Sequence, residues 1–193
     1  MPTPLVRSFI VLGRHDGAGL TPLSSALVRA LRALGVSAVG MKPVARGRIG
    51  AGGAWQSDEL RQLAEASAFG LPARALCAGL QADDGSGTPP TLEAVVDTFR
   101  ALATWADAVV VDGADGGGFD AVDLARALQL PFVYVAGSAA AAEEARALVA
   151  AGLECVGWLG ERDADMPGEW LGADVGRLAL RAQRLPKALE LRA

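Results

Sequence analysis

Short apolar runs alternate along the chain with longer stretches in which apolar residues recur every three or four positions. Residues 8–12 (Ser-Phe-Ile-Val-Leu) form such a run, which ends at Gly13 and is typical of a buried strand. Over residues 23–34 the apolar positions fall on one helical face. Thr21 is predicted to cap this helix, with Pro22 at its first helical position. The chain is therefore predicted to open with a strand, a loop and a helix.

The same alternation continues beyond the first helix. Residues 46–54 are rich in Gly and Arg and are predicted to form a mobile surface loop. The segment after residue 159 is predicted to form one or two terminal helices. Further strands are predicted at residues 37–44, 76–80, 108–112, 132–135 and 155–159, and further helices at residues 57–70, 91–102, 120–128 and 138–151.

Alternating strands and helices predict an α/β fold with a doubly wound, mostly parallel sheet and helices on both faces. No repeat or linker divides the sequence, so residues 1–193 are predicted to form a single domain. Ligands of such sheets bind at the carboxyl ends of the strands. Three Gly-rich segments, at residues 13–19, 47–53 and 113–118, each follow a predicted strand and are expected to meet at that edge.

Composition narrows the class of function. The net charge is −4 and no stripe of Lys or Arg is present, which argues against a nucleic-acid partner. Cys77 and Cys155 lie in apolar segments and are predicted to be buried thiols. His15 is the single histidine, too few for a multi-His metal site. The first apolar run is too short for a signal peptide or a membrane span, which predicts a cytoplasmic protein without a membrane partner.

The segment from Gly13 to Thr21 (Gly-Arg-His-Asp-Gly-Ala-Gly-Leu-Thr) has the layout of a phosphate-binding loop. Gly13, Gly17 and Gly19 would let backbone N–H groups turn toward a phosphate, and the helix N-terminus adds partial positive charge. Thr21 is suited to coordinate magnesium. The lysine that normally holds the outer phosphates is replaced by Leu20. Taken alone, the loop is equally consistent with a Gly-rich turn that binds nothing.

Further motifs follow in an order and spacing that resemble the dethiobiotin synthetase family. Lys-Pro-Val-Ala at residues 42–45, Ser-Asp at 57–58 and Asp-Gly-Ala at 112–114 are similar to the K-P-V, S-D and E-G-A elements of that family. Leu-Pro-Phe-Val at 130–133 and Ala-Gly-Leu at 151–153, followed by Gly-Trp, extend the resemblance. It covers about residue 9 to residue 160 of the chain.

This resemblance implies a P-loop NTPase-like fold and a homodimer. It also implies a ligase of biotin biosynthesis that uses ATP and Mg²⁺ to close a ureido ring on a small-molecule substrate, from diaminopelargonic acid and CO₂. By position, Lys42 matches the lysine that contacts the carbamate and the transferred phosphate. Thr21, Asp58 and Asp112 match the magnesium ligands. The cofactor-binding residues implied for ATP are Gly13, Gly17, Gly19 and Thr21.

Several positions depart from the family pattern. Leu20 replaces the phosphate-binding lysine, His15-Asp16 replaces Asp-Thr, and Arg46 replaces a serine. Residues 160–162 (Gly-Glu-Arg) stand where the family carries the Asn that reads adenine. Removing a charged partner from a phosphate costs about 1.5–3 kcal/mol. Weakened or lost ATP binding is therefore predicted.

These departures leave the function open between an ATP-dependent cyclo-ligase and a non-catalytic descendant that serves as an interaction partner or small-ligand sensor. A ParA/MinD-type ATPase fits less well, because the loop lysine and the usual additional lysine are both missing. Taken singly, Asp58 and Asp112 are also consistent with a helix-cap acid and a strand-end carboxylate. The side chains of Arg14, His15, Arg46 and Arg48 are predicted to be solvated loop charges, with electrostatic replacement of the lost lysine as the alternative.

Overall fold

The computed structural model describes residues 8–14, 20–82, 89–113, 119–137 and 140–172. Their strands are β1 (Phe9–Arg14), β2 (Ala38–Ile49), β3 (Trp55–Gln56), β4 (Cys77–Ala82), β5 (Ala108–Asp112), β6 (Phe132–Ala136), β7 (Cys155–Gly160) and β8 (Glu169–Gly172). The α-helices are α1 (Thr21–Ala33), α2 (Asp58–Ala66), α3 (Leu92–Ala103), α4 (Ala121–Leu128) and α5 (Ala141–Ala150). Short 3₁₀ turns cover Ala51–Gly53, Ala68–Gly70 and Ala73–Leu76.

The strands form one sheet in the order β3-β2-β5-β1-β6-β7-β8, and β4 pairs with β2 outside this path. Strand β1 lies between β5 and β6 and is parallel to both. The remaining pairs are also parallel, except that β3 runs antiparallel to β2. The predicted doubly wound, mostly parallel sheet is confirmed.

Strand β1 shows why the sheet is covered on both faces. Its side chains alternate, so that Phe9 and Val11 pack in the cluster that contains Leu27 and Leu31 of α1. Ile10 and Leu12 pack in the other cluster. The latter includes Val95 and Phe99 of α3, Leu124 and Leu128 of α4, and Ala145 of α5. A strand buried on both faces reads as a continuous apolar run, which is the pattern of residues 9–12.

The predicted loop at residues 46–54 is wrong for its first half. Residues 46–49 continue β2, pairing first with β4 and then with β3. Gly47 permits this pairing, because a Cβ atom there would lie 2.1 Å from the carbonyl oxygen of Gln56. The glycine therefore marks a close approach of two backbones rather than a flexible loop.

The C-terminal part of the chain differs from the prediction as well. Residues 169–172 form β8, parallel to β7, where terminal helices were expected. Helices at residues 173–193 stay a prediction, since these residues lie outside the described part of the chain. Both cysteines are free thiols. Cys77 is buried, as the sequence predicted, whereas Cys155, also predicted to be buried, is half-buried. In the described residues, no helix has the length and apolar character needed to cross a bilayer.

Candidate functional site

The sheet register brings three predicted site residues to one edge. Val11 of β1 is paired with Asp112, the last residue of β5, and Met41 of β2 is paired with Val111. Lys42 therefore lies level with Asp112 on the neighbouring strand. Helix α1 begins at Thr21 close to the carboxyl end of β1. The strand ends of a parallel sheet thus gather Thr21, Lys42 and Asp112, although they are far apart in sequence.

Asp112 is the centre of this group. Its side chain is fully buried, and both carboxylate oxygens accept hydrogen bonds. Oδ2 accepts from the Thr21 hydroxyl at 2.5 Å and from Lys42 Nζ at 2.9 Å, and Oδ1 accepts from the Ser24 hydroxyl at 2.8 Å. A buried carboxylate is tolerated when it has a cation and hydrogen-bond donors. Ser24 was not predicted, although it follows Thr21 by three residues and so shares its helix face.

Thr21 does not have the local role that the sequence predicted. It is the first residue of α1, and Leu20 occupies the cap position without a side-chain cap. The Thr21 hydroxyl donates to Asp112 instead of accepting a bond from the helix backbone. A bond to a buried charged carboxylate is stronger than a neutral capping bond, which explains the difference.

The Lys42 ammonium is enclosed by oxygen atoms. Besides Asp112 it contacts the Thr21 hydroxyl oxygen at 3.1 Å and Glu59 Oε1 at 3.1 Å, and its side chain is 14% exposed. Burial alone lowers the pKa of Lys42, but the charges of Asp112 and Glu59 and the hydrogen bonds to both raise it by more. The net pKa lies above the ordinary value for lysine, so the group is charged at neutral pH.

The side chains of Asp58 and Glu59 point in different directions, Asp58 toward solvent and Glu59 toward Lys42. The Asp58 side chain is 85% exposed, and its Oδ1 accepts from Arg61 at 3.0 Å. Glu59 reaches Lys42 with one oxygen and accepts the Arg46 backbone N–H with the other at 3.1 Å. Consecutive helical residues point about 100° apart, so only one of them can face Lys42.

The structure thus groups Thr21, Lys42 and Asp112, and the described residues show no bond between Asp58 and this group. The assignment of Asp58 to magnesium stays a prediction. Glu59, which the sequence analysis missed, takes the place facing Lys42. The Ser57 cap predicts that Asp58 and Glu59 lie in the first turn of α2. It does not predict which of the two side chains faces Lys42.

Leu20 forms an apolar wall of the site. It is half-buried beside the cluster of Leu23 and Leu27, and its Cδ1 lies 3.4 Å from where a Cβ atom of Gly113 would stand. The cleft beside it has a volume of about 180 Å³. Its lining consists of Leu20, Lys42, Val44, Arg46, Glu59, Asp112 and Gly113.

Gly13 has a structural requirement of its own. Its φ is +122°, and a Cβ atom there would lie 2.3 Å from the carbonyl oxygen of Val135. Only glycine fits this approach of β1 to β6. Gly17 and Gly19, with His15 and Asp16, lie outside the described residues. The predicted contacts of Gly17 and Gly19 with ATP stay predictions.

Two larger clefts adjoin the strand ends. One, of about 600 Å³, shares Arg46 and Glu59 with the Lys42 cleft and adds Arg48, Asp58 and Arg61. The other, of about 660 Å³, lies beyond β6 and β7. It is lined by Glu161 and Arg162 among others, and the Arg162 guanidinium stands 5.5 Å from the ring centre of Trp170.

The donor chemistry of the Lys42 site fits magnesium with a phosphate ligand. Mg²⁺ is usually bound by one or two carboxylates together with waters and substrate phosphates. Asp112 and Thr21 supply oxygen atoms at one place. The described residues contain no cluster of three or more His, Cys, Asp or Glu side chains arranged for a metal.

Comparison with known proteins gives close relatives in sequence. The chain is 37% identical over an alignment of 195 positions to the ATP-dependent dethiobiotin synthetase BioD of Xanthomonas euvesicatoria pv. vesicatoria, covering 90% of this chain and 86% of the relative. It is 36% identical over 178 residues to BioD of Ralstonia nicotianae, covering 82% and 78%. No protein-family model matches the sequence.

A solved structure of similar fold is the signal recognition particle 54 kDa protein of Aeropyrum pernix K1 in complex with GDP. The TM-score is 0.51 at 17% sequence identity, and the match covers 98% of this chain. The chain spans about half, 51%, of that protein's length. At this identity the likeness concerns the fold alone.

Proposed function

Because this chain belongs to the ATP-dependent dethiobiotin synthetase family, we propose that the cleft around Lys42 is the site of its phosphate chemistry. The proposed reaction is that implied by the family, the Mg-ATP-dependent closure of a ureido ring from diaminopelargonic acid and CO₂. The observation that carries the proposal is the meeting of Lys42, Thr21 and Asp112 at the strand ends. The same three residues lie at positions of the family motifs, with Asp112 where the family has Glu.

Each of these residues has a role that follows from its contacts. The Lys42 ammonium would offset negative charge on a carbamate and on a transferred phosphate. Asp112 holds the Lys42 ammonium and the Thr21 hydroxyl in place, and Ser24 fixes its second oxygen. Thr21 and Asp112 are the residues that would hold Mg²⁺. When bound, Mg²⁺ supplies charge neutralisation at phosphate oxygens.

We propose that ATP binds weakly. Leu20 cannot donate a hydrogen bond to a phosphate, and its apolar side chain faces the cleft that a hydrated anion would enter. Lys42, the cation that is bonded to Asp112, is itself engaged by two carboxylates. Both features lower the positive potential available to phosphates relative to a lysine-bearing family member.

A second candidate, a non-catalytic descendant that binds a small ligand, is favoured by one further observation. Asp58, which matches a magnesium ligand of the family, faces solvent and pairs with Arg61. A site that lacks both the loop lysine and this carboxylate is poorly equipped to bind Mg-ATP.

Measuring ADP release with diaminopelargonic acid, bicarbonate and Mg-ATP separates the two candidates. The enzymatic proposal predicts slow turnover at high ATP concentration, a faster rate in Leu20→Lys, and loss of activity in Lys42→Met. Arg29→Ala on the outer face of α1 serves as a control. Turnover in the unmodified protein that equals Lys42→Met at saturating ATP would support the non-catalytic candidate.

We further propose that the protein is a cytoplasmic homodimer. Its support is the family resemblance and a set of exposed apolar side chains at the ends of the first three helices. Trp105 follows α3 and is 73% exposed, Phe69 follows α2 and is 57% exposed, and Leu34 follows α1 and is 37% exposed. Exposed apolar side chains are typical of an interface where they form a contiguous patch, which is what we propose for this set.

A further inference from the structure

The Lys42 ammonium already has anionic and hydroxyl partners within the protein. A lysine ammonium has three N–H donors. Three protein oxygens lie within reach of Lys42 Nζ, namely Asp112 Oδ2 at 2.9 Å, Thr21 Oγ1 at 3.1 Å and Glu59 Oε1 at 3.1 Å. Asp112 Oδ2 and Thr21 Oγ1 are bonded to each other and so lie on one side of the ammonium. An anion that enters the cleft therefore competes with these oxygens and with Glu59 for the positive charge of Lys42.

The three partners differ in how firmly they are held. Asp112 has no exposed side-chain surface and also accepts bonds from Thr21 and Ser24. Separating it from Lys42 would leave a buried carboxylate without a cation, which is costly. Thr21 is buried as well and is tied to Asp112. Glu59 is 35% exposed and borders the cleft from the solvent side.

Glu59 also has an alternative set of interactions. Its Oε2 accepts the Arg46 backbone N–H, so the side chain keeps one hydrogen bond when Oε1 leaves Lys42. Water is available to the released oxygen because the side chain is partly exposed. Of the three partners of Lys42, Glu59 is therefore the one that can be exchanged at least cost.

We propose that Glu59 is a displaceable internal anion, which occupies Lys42 until a phosphate or carbamate group takes its place. This inference rests on the proposed function, in which Lys42 binds an anionic group of the reactants. Glu59 then determines how strongly an anion has to interact with Lys42 in order to bind. It acts through Lys42 and is a specificity-determining residue of the site.

The negative charge of Glu59 determines how much its removal should raise the affinity of the cleft for an anion. Two carboxylates contact one ammonium, so the group formed by Lys42, Asp112 and Glu59 carries a net negative charge toward an approaching anion. Glu59→Gln removes one negative charge but keeps the shape of the side chain and an oxygen that can accept from Arg46. Because like charges brought together in a partly buried site are strongly unfavourable, we expect anion affinity to rise about tenfold or more.

The test is a calorimetric titration with inorganic pyrophosphate at fixed ionic strength. The dissociation constant is expected to fall about tenfold in Glu59→Gln and to change less than about twofold in Glu65→Gln. Glu65 lies on the same helix, is 61% exposed and pairs with Arg61, so this control makes the same charge change away from Lys42. Glu59→Ala is a second variant and is expected to change affinity in the same direction.

A Lys42→Met background separates competition for Lys42 from general repulsion. If Glu59 acts by occupying Lys42, the gain from Glu59→Gln disappears when Lys42 is absent, which a double-mutant cycle measures. An equal gain in both backgrounds, or equal affinity of the unmodified protein and Glu59→Gln, would overturn this inference alone. Absence of saturable pyrophosphate binding in every variant would overturn the proposed anion site as well.

Discussion

At the scale of single residues, Asp112 connects the elements of the site. Its two oxygens join α1 through Thr21 and Ser24 to β2 through Lys42. The sequence placed Asp112 at the end of a strand, and the resemblance assigned it to magnesium. Neither indicated that both of its carboxylate oxygens accept hydrogen bonds from within the protein. That property depends on helix α1 starting over the end of β5, which is a tertiary arrangement.

We expect Asp112→Ala to lower the free energy of unfolding by about 3 kcal/mol, because it leaves Lys42 buried beside Glu59 alone and two hydroxyls without their acceptor. Asp97→Ala on α3, where the carboxylate is 68% exposed, is the control and is expected to change stability by less than about 0.5 kcal/mol. Urea denaturation monitored by circular dichroism measures both. Equal stability of Asp112→Ala and the unmodified protein would contradict the structural role of this carboxylate.

The Cys77 thiol makes the free energy of unfolding depend on pH in the alkaline range. Burial raises the pKa of its thiol from 9.0 to about 11. Above pH 9 the unfolded chain loses the thiol proton while the folded protein keeps it, so stability falls between pH 9 and about 11 and then levels off. At about 1.36 kcal/mol per pKa unit, the Cys77 contribution amounts to about 2–3 kcal/mol.

The measurement is the difference in unfolding free energy between the unmodified protein and Cys77→Ala as a function of pH. We expect this difference to be constant below pH 8 and to shrink as the pH rises past 9, because only the unmodified protein has the thiol. A difference independent of pH up to 11 would mean that the Cys77 thiol titrates normally.

At the scale of elements, the local apolar pattern was sufficient to predict a strand that is buried on both faces. The strand predicted at residues 108–112 has these bounds in the structure, since every residue of it is buried. The last four residues of β2 were not predictable from local pattern. Its partners β3 and β4 come later in the chain, and residues 46–49 carry two exposed arginines and a glycine that locally resemble a loop.

The same limit explains the functional residues that the sequence analysis missed. Motifs identified Lys42, Thr21 and Asp112, because these carry the family pattern. Glu59 and Ser24 lie on helices whose rotation is set by packing against the sheet, as in the contact of Leu63 of α2 with Gly40. Which side chain of a helical turn faces Lys42 is decided by that packing.

Gly47 offers a test of the β2–β3 hairpin. In Gly47→Ala the added Cβ would meet the Gln56 carbonyl oxygen at 2.1 Å, and backbone cannot easily move away. We expect a loss of about 1–3 kcal/mol in unfolding free energy. Gly50→Ala is the control in the same hairpin, since its nearest neighbour is the flexible end of the Gln56 side chain at 2.7 Å. Thermal denaturation that ranks the two variants equally would speak against the close pairing of β2 with β3.

At the scale of the whole molecule, the exposed Trp105 predicts self-association. Light scattering at micromolar concentration is expected to give twice the chain mass of 19.7 kDa. Trp105→Ser, which removes the largest exposed apolar side chain of the set, is expected to shift the mass toward the monomer. A monomer mass for the unmodified protein would contradict the proposed homodimer.

The sheet brings together Lys42, Thr21 and Asp112, which match motifs of the dethiobiotin synthetase family, with Asp112 where the family has Glu. We propose that Leu20 removes a phosphate-binding charge from this site. Two alternatives therefore remain for ATP binding. Either the protein binds ATP weakly because of Leu20, or it binds ATP tightly because an arginine such as Arg46 replaces the charge of the missing lysine.

Calorimetric titration of Mg-ATP into the unmodified protein, Leu20→Lys and Arg46→Ser tests this account most directly. We expect millimolar or weaker affinity for the unmodified protein, because a lost charge-assisted phosphate bond is worth about 1.5–3 kcal/mol, on the order of tenfold to a hundredfold. Leu20→Lys should bind at least about tenfold more tightly, and Arg46→Ser should equal the unmodified protein. Micromolar affinity in the unmodified protein that is lost in Arg46→Ser would contradict the account.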